Sequence, residues 1–318
     1  RLRPDLVTMD AGMLGMDGVH ATRRIMASQP TPIAIVTAGP VDAGRETAFR
    51  AMAAGAVDVI VKPGLEVFEP DGEARERFVR QLRDVANVGV AAIRGRAAYE
   101  ATSDDDRPTS HPPMAGLGQW TRASVIAIGA STGGPRCVRE IVGALDPKHS
   151  PPVVITQHLP AQFMPGFAEW LASNVALPVQ IARPGALLEP AQVFVAPGDR
   201  HLEVTGNGAI QIGSTPPVRH QRPSVDVMFQ SVARTYGGQA VGVLLTGMGS
   251  DGAEGLRAMR DTGALTLAQD ESSCLVYGMP AAACRLNAAH LYVNPQHIGR
   301  LLGLIRFAEA ELQDLPER

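Results

Sequence analysis

Ser124-Val-Ile-Ala-Ile-Gly-Ala-Ser131-Thr-Gly-Gly-Pro135 reads as a strand that runs out into a helix. The apolar run Ser124–Ile128 has strand length, the glycines after it let the backbone fold sharply, and helical periodicity starts at Gly134. Gly129-Ala-Ser131-Thr-Gly133 has the G-x-S-x-G spacing of a nucleophile held on a tight strand-to-helix turn, where the helix start offers N–H groups to a developing anion.

The same rhythm continues downstream. Strand Val153–Gln157, helix Phe163–Asn174 and strand Val179–Ala182 follow. Three short, turn-bounded runs come next, Gln192–Ala196, Arg200–Val204 and Ile210–Gly213, which are expected to form an inserted antiparallel hairpin element. Helix Ser224–Tyr236, strand Ala240–Thr246, helix Ala253–Asp261, strand Ala264–Ala268 and a helical ending complete the unit. Alternating strands and helices of this length predict an α/β, doubly wound parallel sheet.

Upstream, strand Asp5–Asp10, helix His20–Gln29, strand Ile33–Thr37, helix Ala43–Ala54, strand Val57–Val61 and a charged helix 72–94 predict a second parallel sheet wrapped by helices. The polar, Pro- and Gly-rich stretch around 102–118 has no periodicity and reads as a linker. The expected division is therefore 1–95, a linker 96–122, and 123–318. The chain opens at Arg1 and reaches its first strand within ten residues, so the first unit is expected to begin part-way through a domain.

Composition narrows the function classes. A net charge of −3 and a pI near 6.3 supply no basic field for nucleic acid. No apolar run approaches the ~20 residues of a membrane span, and no signal peptide is evident. Cys137, Cys274 and Cys284 are odd in number and lack CxxC spacing, which suits reduced core thiols in a cytoplasmic protein.

In a doubly wound sheet the ligand site lies at the carboxyl ends of the strands. Three strand ends carry chemistry: Ser131 in its glycine turn, His158 in Gln157-His-Leu-Pro160, and Asp251 in Thr246-Gly-Met-Gly-Ser-Asp-Gly252. They are a nucleophile, a base and an orienting acid. Asp251 also has a structural reading, as the cap of the helix that follows it. A rival reading takes Gly247-x-Gly249-x-x-Gly252, trailed 18 residues later by Asp270, as a dinucleotide fingerprint. It leaves Ser131 and His158 unused.

Five blocks in order, Gly129–Pro135, Thr156–Pro160, Arg222–Asp226, Leu245–Gly252 and Ala268–Pro280, resemble the protein-glutamate methylesterases of bacterial chemotaxis, the CheB family. The resemblance implies a serine esterase that demethylates glutamate methyl esters, and deamidates glutamines, on methyl-accepting chemotaxis receptors. Its serine, histidine and aspartate fall on Ser131, His158 and Asp251. It further implies that Met248 offers a backbone N–H to the oxyanion, that Thr132 lines the site, and that the esterase needs no cofactor.

The first unit resembles that family's flavodoxin-like (CheY-like) response-regulator receiver, phosphorylated by the chemotaxis histidine kinase. Asp10 matches the phospho-acceptor, Met16-Asp-Gly18 the turn after it, Thr37 the phosphoryl-facing hydroxyl, and Lys62-Pro63 the phosphate-pairing lysine with its proline. Leu14 stands where proline is usual, and Val59 at the aromatic switch position. The receiver's opening strand and helix, with the acidic pair that binds Mg²⁺, are not among these residues. The expectation is therefore a receiver that does not answer a small phosphodonor, and a second unit that stays active when cut free near residue 120. Two other functions remain open at this point: the same chemistry in a surface-sensing pathway with diguanylate cyclase output, and a non-catalytic receptor or kinase partner.

Overall fold

The computed structural model describes residues 4–10, 13, 17–37, 42–62, 72–88 and 120–308. The chain divides into two compact units, 1–101 and 102–318. Of the expected linker, only 120–122 fall within the described residues.

The first unit runs β1 (Val7–Asp10), α1 (Gly18–Ser28), β2 (Ile33–Thr37), α2 (Asp42–Ala53), β3 (Asp58–Val61) and α3 (Glu73–Ala86). Its three strands are parallel in the order β1-β2-β3. The middle strand, Ile33-Ala-Ile-Val-Thr37, is buried along its whole length. An unbroken apolar run is what a parallel strand covered on both faces requires. Asp17 caps α1, accepting from the N–H of His20 at 2.7 Å.

The second unit contains β4 (Arg122–Ala123), β5 (Val125–Ala130), α4 (Gly134–Gly143), β6 (Val153–Gln157), α5 (Met164–Ala172), β7 (Val179–Ile181) and β8 (Val193–Val195). The hairpin β9 (His201–Val204) and β10 (Ile210–Gly213) follows, then α6 (Val225–Tyr236), β11 (Ala240–Leu244), α7 (Ala253–Asp261) and β12 (Leu265–Gln269). It closes with α8 (Met279–Arg285), β13 (Leu291–Val293), α9 (Pro295–Gly303) and β14 (Arg306–Phe307). Seven strands form one parallel sheet in the order β13-β12-β11-β5-β6-β8-β7. β5 is central: the chain winds outward from it through β6, then returns to its other side through β11.

Val125 and Ala127 of β5 share one core with Val225, Met228 and Phe229 of α6, Leu256 and Met259 of α7, and Leu202, Val204 and Ile210 of the hairpin. Ile126 and Ile128, also fully buried, point to the opposite face by strand alternation. Burying both faces of β5 fixes it as an interior strand.

Two expectations about topology need correction. Gln192–Ala196 does not join the antiparallel element; its core, β8, lies parallel between β6 and β7. Val193, Phe194 and Val195 are all buried, and a three-residue strand covered on both faces shows no periodicity from which its partner could be read. The antiparallel hairpin is β9 and β10 alone. The ending is also not purely helical, since β13 extends the sheet and β14 pairs with β4. Of the three cysteines, Cys137 and Cys274 are buried but Cys284 is exposed.

Candidate active site

Because the winding reverses at β5, its carboxyl end and those of β6 and β11 border one crevice. Ala130 is level with Gln157, and Gly129 with Leu244. The residues leaving the three strands are then stitched together: His158 N–H donates to Ala130 O at 2.9 Å, Leu245 N–H to Gly129 O at 2.9 Å, and Ser131 N–H to Thr246 O at 3.0 Å. Ser131, His158 and the Thr246–Gly252 loop thus occupy one sheet edge.

The Ser131 turn is shaped by what surrounds it. Gly133 has φ of +78° and caps α4, a left-handed conformation that favours glycine. Gly134 N–H closes the turn on Ser131 O at 2.8 Å. Opposite, a Cβ on Gly247 would stand 2.5 Å from the Ser131 Cβ, so the Thr246–Gly252 loop reaches the serine only because Gly247 lacks one. Thr132 O accepts from the Thr246 hydroxyl at 3.1 Å. Met248 lies in that loop, half-buried.

His158 and Asp251 are joined, Nε2 to Oδ2 at 2.8 Å, with side chains 6% and 3% exposed. An ionised carboxylate only accepts, so Nε2 carries the ring proton and Nδ1 presents its lone pair. Nδ1 is buried and has no hydrogen-bond partner among the described residues. Ser131 and His158 are therefore neighbours through their backbones, and the serine hydroxyl does not occupy Nδ1 in this structure.

Asp251 does not cap the helix that follows it, whose N-cap is Gly252. It serves a different helix: its oxygens accept from Val225 N–H at 2.7 Å, Asp226 N–H at 3.0 Å and the Ser224 hydroxyl at 2.8 Å, at the start of α6. Burial pushes the Asp251 carboxyl up. The bond from His158 and the N–H groups of Asp226 and Val225 outweigh it and hold the group below the ordinary 3.8. Asp226, next along, is pushed above that value by burial and by the charge of Asp251, although Gly255 N–H and Arg219 oppose this. Arg219 pairs with Asp226 at 3.0 Å and Glu254 at 2.6 Å, and donates to the Ser250 hydroxyl at 3.1 Å.

Ser224 and Asp226 lie in the quoted block Arg222–Asp226 but carried no assigned role, and Arg219 was not singled out from the sequence. A signal was present, because Arg222-Pro-Ser-Val-Asp226 puts an N-capping serine just before a helical run. Nothing local shows that the helix start would receive a carboxylate from 26 residues away. The glycine loop read as a dinucleotide fingerprint packs on Ser131 instead. Asp270 accepts from Ser273 N–H at 2.8 Å and the Ser272 hydroxyl at 2.9 Å, closing its own turn.

In the first unit, Asp10, Thr37 and Lys62 meet at the carboxyl edge of the three-stranded sheet. Lys62 N–H donates to Thr37 O at 2.7 Å, and Lys62 Nζ reaches Asp10 Oδ2 at 2.5 Å. Val59 is buried in β3; Leu14, Met16 and Pro63 lie outside the described residues. A divalent ion would need paired carboxylates beside Asp10. Among the described residues no group of three His, Cys, Asp or Glu side chains converges to hold a metal. Lys62 sets a cation against Asp10.

The fold and the site define a two-unit protein, a receiver-type sheet followed by a hydrolase. The family model described as CheB methylesterase matches residues 126–302, and the response regulator receiver domain model matches residues 1–67. The chain belongs to the CheB methylesterase family. It is 41% identical over 306 residues to a protein-glutamate methylesterase/protein-glutamine glutaminase of Syntrophus aciditrophicus, covering 95% of this chain and 85% of that protein. A relative of the same name from Anaeromyxobacter dehalogenans is 44% identical over 288 residues, covering 90% and 77%. The crystal structure of the Thermotoga maritima CheB methylesterase catalytic domain superposes with a TM-score of 0.55 at 32% identity, over 57% of this chain and 97% of that one.

Proposed function

We propose that this chain hydrolyses glutamate methyl esters on methyl-accepting chemotaxis receptors, and deamidates receptor glutamines, in chemotaxis adaptation, with Ser131 as nucleophile. The observation that carries this reading is the His158–Asp251 bond through Nε2, which leaves Nδ1 as a buried base beside the serine turn, with no hydrogen-bond partner among the described residues. Nδ1 takes the Ser131 proton as Oγ bonds to the ester carbonyl carbon. The Met248 N–H faces the resulting oxyanion. Collapse breaks the bond to methoxide, which leaves as methanol with the proton from His158. Water then gives a proton to Nδ1 as its oxygen bonds to the acyl carbon; the acyl–Oγ bond breaks, His158 returns the proton to Ser131 Oγ, and the freed glutamic acid ionises to solvent. A glutamine amide follows the same course with ammonia as leaving group. Each proton transfer to or from Ser131, the leaving group and the attacking water runs through His158, and water is the co-reactant, so the proposal includes no metal or organic cofactor.

For the first unit, Asp10 is the proposed phosphoryl acceptor from the chemotaxis histidine kinase, with Lys62 and Thr37 facing the transferred group. No helix among the described residues is long and apolar enough to cross a membrane. The reaction is tested by incubating the chain with methyl-labelled receptor and following methanol release; none above the uncatalysed rate would refute it.

A further inference from the structure

Gln157, the last residue of β6, is fully buried. Its Nε2 donates to Ser131 O at 2.8 Å and to His158 O at 3.2 Å. Both neighbours are carbonyl oxygens, so the amide nitrogen must face them; the flipped amide would set oxygen against oxygen. One side chain thereby ties the turn that carries the nucleophile to the turn that carries the base.

The other end of the same amide shows what this arrangement costs. Gln157 Oε1 is buried and has no hydrogen-bond partner among the described residues, a state that opposes folding. It lies against Gly134, where a Cβ would come within 2.4 Å. Gln269, at the end of β12, makes a useful contrast. It is equally buried, but its Oε1 accepts from Thr246 N–H at 2.9 Å and its Nε2 donates to Ser273 O at 2.8 Å. Gln269 is satisfied at both ends, as a structural residue is. Gln157 keeps an amide where an apolar side chain would leave no buried orphan, and Ser131 O would still hold Gly134 N–H at 2.8 Å without it.

We infer that Gln157 is a positioning residue for the esterase reaction: its buried amide sets the separation between Ser131 Oγ and His158 Nδ1. The inference rests on the functional reading above. Small errors at such a junction matter, because displacement of a reacting group by about 1 Å costs on the order of 100-fold in rate.

The test uses the full 318-residue chain with Gln157→Leu and Gln157→Met, and Ser131→Ala as reference. Two rates are measured: methanol release from methyl-labelled receptor, and labelling by a fluorophosphonate, which reports the nucleophile without receptor binding. The expected result is a loss of roughly 10- to 100-fold in both kcat and labelling rate, by the same factor, with KM within twofold and an unchanged melting temperature. A change under threefold in the labelling rate of folded variant overturns the inference, and so does failure of both variants to fold, which would make the amide structural. If Ser131→Ala still releases methanol and takes up the probe, the functional reading fails first and this inference falls with it.

Discussion

Asp251 and Asp226 hold the amino ends of each other's helices. Asp251, just ahead of α7, accepts from Val225 and Asp226 N–H at the start of α6, while Asp226 accepts from Gly255 N–H in the first turn of α7 at 2.7 Å. Each carboxylate meets the positive end of a helix dipole and satisfies N–H groups that have no partner within their helix. The proposed orienting acid is thus built into the packing of two helices, which locks its oxygens before any substrate arrives.

Asp251→Asn should therefore fail in two ways. Its amide nitrogen must face at least one of the donors that Asp251 accepts from, so stability should fall by about 1–3 kcal/mol. Turnover should fall by on the order of 10⁴, since the ring of His158 loses the partner that selects its tautomer. Methanol release and thermal melting measured on the same preparation separate the two effects; turnover within tenfold of the parent would remove Asp251 from its role.

The same pair makes opposite contributions to acid stability. Asp251 is held below 3.8 in the folded state, so its stabilisation is present above that pH and lost as pH falls through its lowered folded value. Asp226 is raised, so its stabilisation is present below 3.8 and lost as pH rises through its raised value. From about pH 3 to about pH 7, the melting temperature of Asp251→Asn relative to the parent should become more negative, and that of Asp226→Asn less negative. The same direction of change with pH for both variants would contradict the assignment.

Ser131→Ala should abolish methanol release and leave the melting temperature within about a degree or two, because a hydroxyl on a turn contributes little packing. Residual activity above ~1% of the parent would exclude the nucleophile role, where losses on the order of 10⁴ or more are expected.

Gly247→Ala should damage activity more than stability. Its Cβ would meet Met279 Sδ at 2.4 Å and Ser131 Cβ at 2.5 Å. The methionine can swing aside, but the serine sits on a closed turn and must move with its backbone. Overpacking of this kind costs about 1–3 kcal/mol, while a displaced nucleophile costs on the order of 100-fold in kcat. Melting and methanol release decide it; a folded variant with parental kcat would show that the loop can retreat.

Much of this protein was legible in its sequence for a local reason. Strand, turn and helix at 124–135 follow from the apolar run, the glycines and the periodicity of adjacent residues, and Ser131 and His158 sit just past strands whose ends are punctuated in the chain. β2, β6 and α7 match the spans expected from periodicity. Tertiary structure decided what adjacent residues cannot encode. Val193-Phe-Val195 became an interior parallel strand because β6 and β7 flank it. Asp251 became the anchor of α6 because α6 and α7 pack side by side. The base nitrogen of His158 is Nδ1 because a carboxylate 93 residues away takes Nε2. Backbone preference is set by neighbours in the chain, whereas strand order, helix capping at a distance and the choice of tautomer depend on which surfaces are buried together, and only the folded packing determines that.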